Sequence, residues 1–177
     1  MRFSLSILFG YLCISLSAQT GWVEFIEIDA GFSARFPSEV RQKADSIKTP
    51  LGKLVNRSYF VENLEGPNYV YLINQVDYPY GSLHSDSILL IDTFFATTIE
   101  QATKELGGDL VYQSEIDQNG FRAVLFRIDF GDDKLTMKTK IVVIRNRYYS
   151  IQVISEKGFS SNEDSNFFLE KFQLLGS

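Results

Sequence analysis

Histidine and cysteine, two residue types often used in nucleophilic catalysis, are scarce in this sequence. The chain has one histidine, His84, and one cysteine, Cys13. His84 stands in the Gly-containing segment YPYGSLHSDS, and the sequence has no G-x-S-x-G motif. We interpret His84 as a polar loop residue, with a general base or a metal ligand as the alternative. We therefore predict no catalytic residue and expect that the protein is not an enzyme.

The densest carboxylates do not form a metal-binding pattern. Asp129, Asp132 and Asp133 lie in the segment RIDFGDDK. A calcium loop needs alternating oxygen ligands and a closing glutamate, which are absent here. The pair Asp132–Asp133 is instead typical of a hairpin turn. We predict no metal site and no cofactor.

A tyrosine-rich segment, VDYPYGSLH, is the best candidate for a recognition surface. Tyr78 and Tyr80 flank Pro79 in a predicted loop that also contains His84. Tyrosines combine an apolar ring with a polar tip, and this combination is favoured at interfaces. The alternative is that these aromatic rings fold back onto the core.

The tripeptide Asp-Ser-Ile occurs twice, with its serines at positions 46 and 87. It resembles the Asp-Ser/Thr-aliphatic acceptor for O-glycosylation in secreted proteins of the Bacteroidetes type. Ser46 and Ser87 are therefore candidate modification sites. Coincidence is the alternative, with the second copy serving as a helix cap.

The first eighteen residues have the pattern of a secretory signal peptide. Arg2 supplies a positive start, the apolar run 3–16 follows, and small residues precede Gln19. The run is too short for a membrane span. We predict cleavage near Ala18, export to a bacterial periplasm or exterior, and a single domain over residues 19–177.

The charge of the chain limits its partners. Acidic residues outnumber basic ones, 22 against 17, and the net charge is −5. An acidic domain without a basic run repels phosphate backbones, so we expect no nucleic-acid binding. No second apolar segment is long enough to span a membrane. We expect an unidentified protein partner, and the sequence leaves the oligomeric state open.

The periodicity of apolar residues predicts an α+β fold. Alternating segments predict strands, including FSARF over Phe32–Phe36 and an antiparallel meander after residue 108. A stripe of apolar residues at spacings of three or four predicts one long helix over about 85–106, with Ser85 or Asp86 as cap and Gly107 at its end. The residues of this stripe are Ile88, Ile91, Phe95, Ile99, Ala102 and Leu106. The segment SSNEDSNFFLEKF predicts a short C-terminal helix, with Asn162 or Ser161 as its cap.

The order of these short motifs resembles the PsbP/Mog1-like family. The chain has a GF-x-x-x-FP strand, then TP-x-G, a Y-V-Y strand, a helix, a meander and a terminal FF-x-x-x-F segment. The residues that carry the resemblance are Gly31, Phe32, Phe36, Pro37, Thr49, Gly52, Tyr69, Tyr71, Phe167, Phe168 and Phe172. The resemblance implies an α/β/α sandwich around an antiparallel sheet, over about residues 22–175.

The same resemblance implies a non-enzymatic role. Members of this family act as binding or assembly factors, and none of their partner-specific residues can be carried over to this chain. We expect a secreted binding or assembly accessory protein of a bacterial envelope. The alternative is a small-molecule or lipid-binding module with a cavity between helix and sheet.

Overall fold

The structure, a computed structural model, describes residues 21–49 and 51–176, so the predicted signal peptide lies outside the described residues. Within these ranges the chain forms ten strands and two α-helices. They are β1 (Val23–Glu27), β2 (Phe32–Phe36), β3 (Arg41–Thr49), β4 (Gly52–Glu62), β5 (Asn68–Asp77), α1 (Ile88–Leu106), β6 (Asp109–Gln118), β7 (Phe121–Phe130), β8 (Leu135–Ile144), β9 (Arg147–Glu156), α2 (Glu163–Glu170) and β10 (Gln173–Leu174). Neither described helix has the length and hydrophobicity needed to cross a bilayer.

A seven-stranded antiparallel sheet forms the centre of the protein. Its strand order is β3-β4-β5-β9-β8-β7-β6. The strands β6 to β9 pair in sequence order, in agreement with the predicted meander. β4 and β5 pair as a hairpin, and the polar strand β3 lies at one edge. A separate three-stranded sheet has the order β1-β2-β10.

Both faces of the central sheet are covered. Successive residues of a strand point to opposite faces. On β8, Val142 belongs to the core cluster shared with the small sheet and α2, whereas Ile141 and Val143 belong to the cluster beneath α1. The layers are therefore α1, the central sheet, and the small sheet together with α2. This arrangement confirms the predicted α+β sandwich.

Aromatic side chains hold the small sheet and α2 onto the central sheet. Phe32 and Phe36 of β2, Phe168 of α2 and Phe172 just after it are fully buried. The Phe32 ring meets the ring of Tyr59 on β4 edge-to-face with centroids 5.1 Å apart, and the Phe168 ring meets that of Tyr71 on β5 at 5.2 Å. Each such burial contributes about 1.5–3 kcal/mol. The strand FSARF thus has the predicted inward face.

The long helix begins later than its predicted start near residue 85. The Ser85 hydroxyl accepts a hydrogen bond from the Arg145 N–H at 3.0 Å, so it is engaged by the turn between β8 and β9 rather than capping the helix. Ser87 occupies the N-cap position, and its side chain makes no capping hydrogen bond to any described residue. The helix ends at Gly107 as predicted, in the left-handed conformation with φ 57°.

The short helix α2 is capped as the sequence predicts. Asn162 is its N-cap, and the side-chain oxygen accepts a hydrogen bond from the Ser165 N–H at 2.8 Å. The Asn162 amide also exchanges two hydrogen bonds with the Asn68 amide of β5, at 2.9 and 2.7 Å. These contacts fix the start of α2 against the central sheet.

Candidate functional site

The loop between β5 and α1 contains the three residues predicted as an interaction surface. Tyr78 turns inward, with its ring edge-to-face against Phe94 at 5.5 Å, and burial raises the pKa of Tyr78. Tyr80 is 91% exposed. His84 is half-buried, and its Nδ1 accepts a hydrogen bond from the Asp86 N–H at 3.2 Å. The side chain of Tyr78 therefore packs inward and that of Tyr80 points to solvent. The role of these residues in an interaction stays a prediction.

This loop is fixed at both of its ends to the turn between β8 and β9. The Tyr78 N–H donates to the Asn146 carbonyl at 2.9 Å, and the Asn146 side-chain amide donates back to the Tyr78 carbonyl at 2.6 Å. At the other end the Ser85 N–H donates to the Arg145 carbonyl at 2.9 Å. Tyr80 therefore projects from a loop with anchored ends.

The first turn of α1, which follows this loop in the chain, also carries exposed apolar side chains. Ile88 is 64% exposed and Leu89 is 80% exposed. We call Tyr80, Ile88 and Leu89 together the apolar tip. Ile88 was expected in the buried stripe of the helix, and this expectation is wrong, because the described helix buries its stripe only from Ile91 onward. The signal in the sequence is the run ILLI, since one helix face cannot bury four consecutive residues.

Both candidate glycosylation serines are exposed. Ser46 lies on the edge strand β3, and Ser87 lies at the N-cap of α1. Their hydroxyls can be reached from solvent, and modification at either serine stays a prediction.

Two of the carboxylates near residue 130, Asp129 and Asp133, converge on the ammonium group of Lys157. Asp132 and Asp133 lie in the turn after β7 with φ 55° and 65°, whereas Asp129 is buried on β7. Among the described residues there is no group of three or more His, Cys, Asp or Glu side chains placed to hold a metal ion.

A cavity of about 280 Å³ lies between α2 and the central sheet. Two lysines of β8, Lys138 and Lys140, line it, and they are only 8% and 5% exposed. We call this space the lysine cavity. The other residues that line it are Ile116, Asp117, Gln118, Leu125, Asn166, Leu169 and Glu170.

The two ammonium groups donate to neutral oxygens. Lys138 Nζ donates to Asn166 Oδ1 at 2.7 Å. Lys140 Nζ donates to Gln118 Oε1 at 2.7 Å and to the Leu169 carbonyl. That carbonyl belongs to the last turn of α2, where backbone oxygens lack partners within the helix, so Lys140 stabilises the C-terminal end of α2.

The cavity lining carries charges of both signs, with Lys138 and Lys140 positive and Asp117 and Glu170 negative. Lys138 lies directly opposite Arg127 on β7, and like charges in this position destabilise a sheet. Arg127 is neutralised by Asp129 through bonds of 2.8 and 2.9 Å. Burial lowers the pKa of Lys140 to about 8 against the opposing effect of Glu170. Burial and then Arg127 lower the pKa of Lys138. Within the described part of the chain, neither lysine forms a salt bridge.

Sequence reasoning missed this cavity. The sequence of β8 alternates an apolar set that includes Met137 and Ile141 with the polar residues Thr136, Lys138 and Lys140. This pattern predicts a polar face, and lysines on a polar face normally lie in solvent. The signal that was available is the short helix α2, whose FFL run must be buried against some face of the sheet. The polar face of β8 is the face that α2 covers.

The comparisons with known proteins agree with the fold. No protein-family model matches the chain, and no curated protein sequence matches it. The chain is similar to the solution structure of cyanobacterial PsbP (CyanoP) from Synechocystis sp. PCC 6803, with a TM-score of 0.57 and 11% sequence identity. The match covers 89% of this chain and 95% of that chain. The resemblance predicted from the sequence is thus confirmed for the fold: the protein has a PsbP-like fold.

Proposed function

We propose that this protein is a non-enzymatic accessory protein, exported to the periplasm or exterior of a bacterium, which binds a partner protein through the apolar tip. The PsbP-like fold supports an accessory role, because members of the family that the sequence resembles act as binding or assembly factors. The acidic charge of the chain favours a protein over a nucleic acid as the partner.

The observation that carries this proposal is the composition of the first turn of α1. A first turn favours acidic side chains and a capping side chain, because its backbone N–H groups lack partners. Here the described turn has no acidic residue, and Ile88 and Leu89 are exposed. A local rule broken without a gain in folding is expected at a functional position.

The energetics of the apolar tip fit a binding surface. Exposed aliphatic side chains contribute nothing to folding, but each one buried by a partner contributes about 1.5–3 kcal/mol. Tyr80 adds an aromatic anchor of the kind that dominates interface energies. The loop ends are already hydrogen-bonded, and this lowers the entropy lost on binding.

The chain offers a matched control for testing this surface. Leu89 and Leu64 are each 80% exposed, but Leu64 lies in the turn between β4 and β5. We expect Leu89→Ser and Tyr80→Ser each to weaken capture of the partner from the native envelope about tenfold or more, as hot-spot losses do. Leu64→Ser should leave capture unchanged.

Two outcomes would overturn the proposal. One is that Leu89→Ser captures the partner as well as the wild type does, while the two proteins unfold at the same urea concentration. The other is an equal loss of capture for Leu89→Ser and Leu64→Ser, which indicates non-specific adhesion of exposed leucines. Retention of only a second copy of this chain identifies the tip as a self-association surface instead.

A second candidate function is the binding of a small molecule in the lysine cavity. The cavity lies between α2 and the central sheet, and this position makes it a candidate for the small-molecule alternative. It combines apolar walls with a few convergent polar groups, which is the usual composition of a ligand site.

A further inference from the structure

The lysine cavity contains more hydrogen-bond donors than the protein satisfies. An ammonium group can donate three hydrogen bonds. Lys138 donates one to a described protein oxygen, and Lys140 donates two. Three of the six N–H groups therefore have no acceptor among the described residues. Both lysines are more than nine-tenths buried.

Capping of α2 explains only one of the two lysines. Lys140 reaches the Leu169 carbonyl at the end of the helix, and a purely structural role would suffice for it. Lys138 bonds only to the Asn166 side chain among the described residues, and it lies opposite Arg127. A neutral residue at position 138 would avoid this repulsion, so the fold alone does not require an ammonium group there.

We infer that the lysine cavity binds a small monocarboxylate, whose two oxygens accept hydrogen bonds from Lys138 and Lys140 while its apolar end packs against Ile116 and Leu125. This inference rests on the second candidate function, the binding of a small molecule. Charge-assisted hydrogen bonds to a carboxylate are about twice as strong as neutral ones, and both oxygens can accept.

The other charges around the cavity define the class of ligand. Asp117 and Glu170 line the same space as the two lysines, and their carboxylates repel a dianion such as phosphate or a dicarboxylate about twice as strongly as a monoanion. Arg127 is already paired with Asp129 and adds no free charge. One negative charge is therefore the best fit for the cavity.

The size of the cavity sets a limit on the ligand. A volume of about 280 Å³ lies at the lower end of the range for ligand pockets, which is about 300–1,000 Å³. A short-chain carboxylate or an aromatic monocarboxylate fits within this limit.

The test compares butyrate with butyramide, which has the same shape without the charge. In the wild type, butyrate should shift the side-chain NMR signals of Lys138 and Lys140 in a saturable manner. The affinity for butyramide should be lower by about tenfold or more, because butyramide offers one neutral acceptor oxygen in place of two charged ones. Inorganic phosphate should also bind more weakly than butyrate.

Variants locate the binding within the protein. Lys138→Met and Lys140→Met shorten the side chain by one heavy atom and remove the donor, so each should weaken butyrate binding about tenfold. Lys171→Met is the matched control, because Lys171 follows α2 directly and is exposed. It should leave binding unchanged. If Lys140→Met does not fold, Lys138→Met and the wild-type signals still decide the question.

The outcomes separate the two levels of the inference. No saturable shift with butyrate, butyramide or phosphate overturns small-molecule binding in this cavity altogether. Equal binding of butyrate and butyramide keeps the cavity as a ligand site but overturns the carboxylate class. Tighter binding of phosphate than butyrate overturns the single-charge argument.

Discussion

Replacement of Lys140 by methionine is expected to change how the stability of the protein depends on pH. Burial lowers the pKa of Lys140 from 10.5 to about 8 in the folded state. Each pKa unit corresponds to about 1.4 kcal/mol, so the buried ammonium group costs about 3 kcal/mol at neutral pH. Between pH 8 and pH 10.5 the unfolded chain binds more protons at this position than the folded protein, so the free energy of unfolding rises with pH.

The size of the effect follows from this difference in pKa. Below pH 8 Lys140 is protonated in both states, and the cost is constant. From pH 7 to pH 10 the wild type should gain about 2–3 kcal/mol of stability relative to Lys140→Met. Buried tyrosines act in the opposite direction at higher pH, since burial raises the pKa of Tyr59 and Tyr71 to about 12. Their contribution is shared by both proteins and cancels in the comparison.

The assay is urea unfolding at several pH values, monitored by the fluorescence of Trp22. This residue is a suitable probe, because its ring packs against the rings of Tyr71 on β5 and Phe167 on α2. The ring centroids are 5.6 Å and 4.8 Å apart. Lys171→Met serves as the exposed control and should follow the wild type at every pH. A constant stability difference between wild type and Lys140→Met from pH 7 to pH 10 would refute the buried, charged position of Lys140.

The remaining predictions concern packing, backbone conformation and capping. Phe168→Ala should reduce the free energy of unfolding by about 3–5 kcal/mol, because the ring is fully buried; a loss under about 1 kcal/mol would contradict its place in the core. Gly107→Ala should cost about 1 kcal/mol, because φ is positive there but an added Cβ meets no atom within 4 Å. Gly108→Ala should cost clearly more, since its Cβ would overlap the Asp129 carbonyl, and equal losses for the two glycines would contradict this contrast. Asn162→Ala should cost about 1–2 kcal/mol through loss of the N-cap, and unchanged stability would show that the cap is dispensable. Urea unfolding measures all four variants.

Local periodicity explains why much of the fold could be predicted from the sequence. In β2 the alternation of Phe32, Ala34 and Phe36 with polar residues indicated which face is buried, and these three residues are indeed buried. The end of α1 at Gly107 and the start of α2 at Asn162 depend on residues within one turn of the chain. Such features are determined by near neighbours, so a single sequence reveals them.

The candidate site depends on contacts between distant parts of the chain. Lys140 is buried because it meets Leu169, which lies 29 residues away in sequence. Tyr78 and Tyr80 are the same residue type two positions apart, and only the contact of Tyr78 with Phe94 on α1 separates their environments. Local patterns carry no information about such contacts, so the sequence predicted the loop but not which tyrosine would be exposed.

The central claim is that the apolar tip binds a partner protein, and site-specific photo-crosslinking in the native host tests it most directly. A photoreactive benzoylphenylalanine is placed at position 89 in one variant and at position 64, which is equally exposed, in another. The proposal predicts a discrete crosslinked product with a different protein from position 89 and none from position 64. The same products from both positions, or no product from position 89, would contradict it.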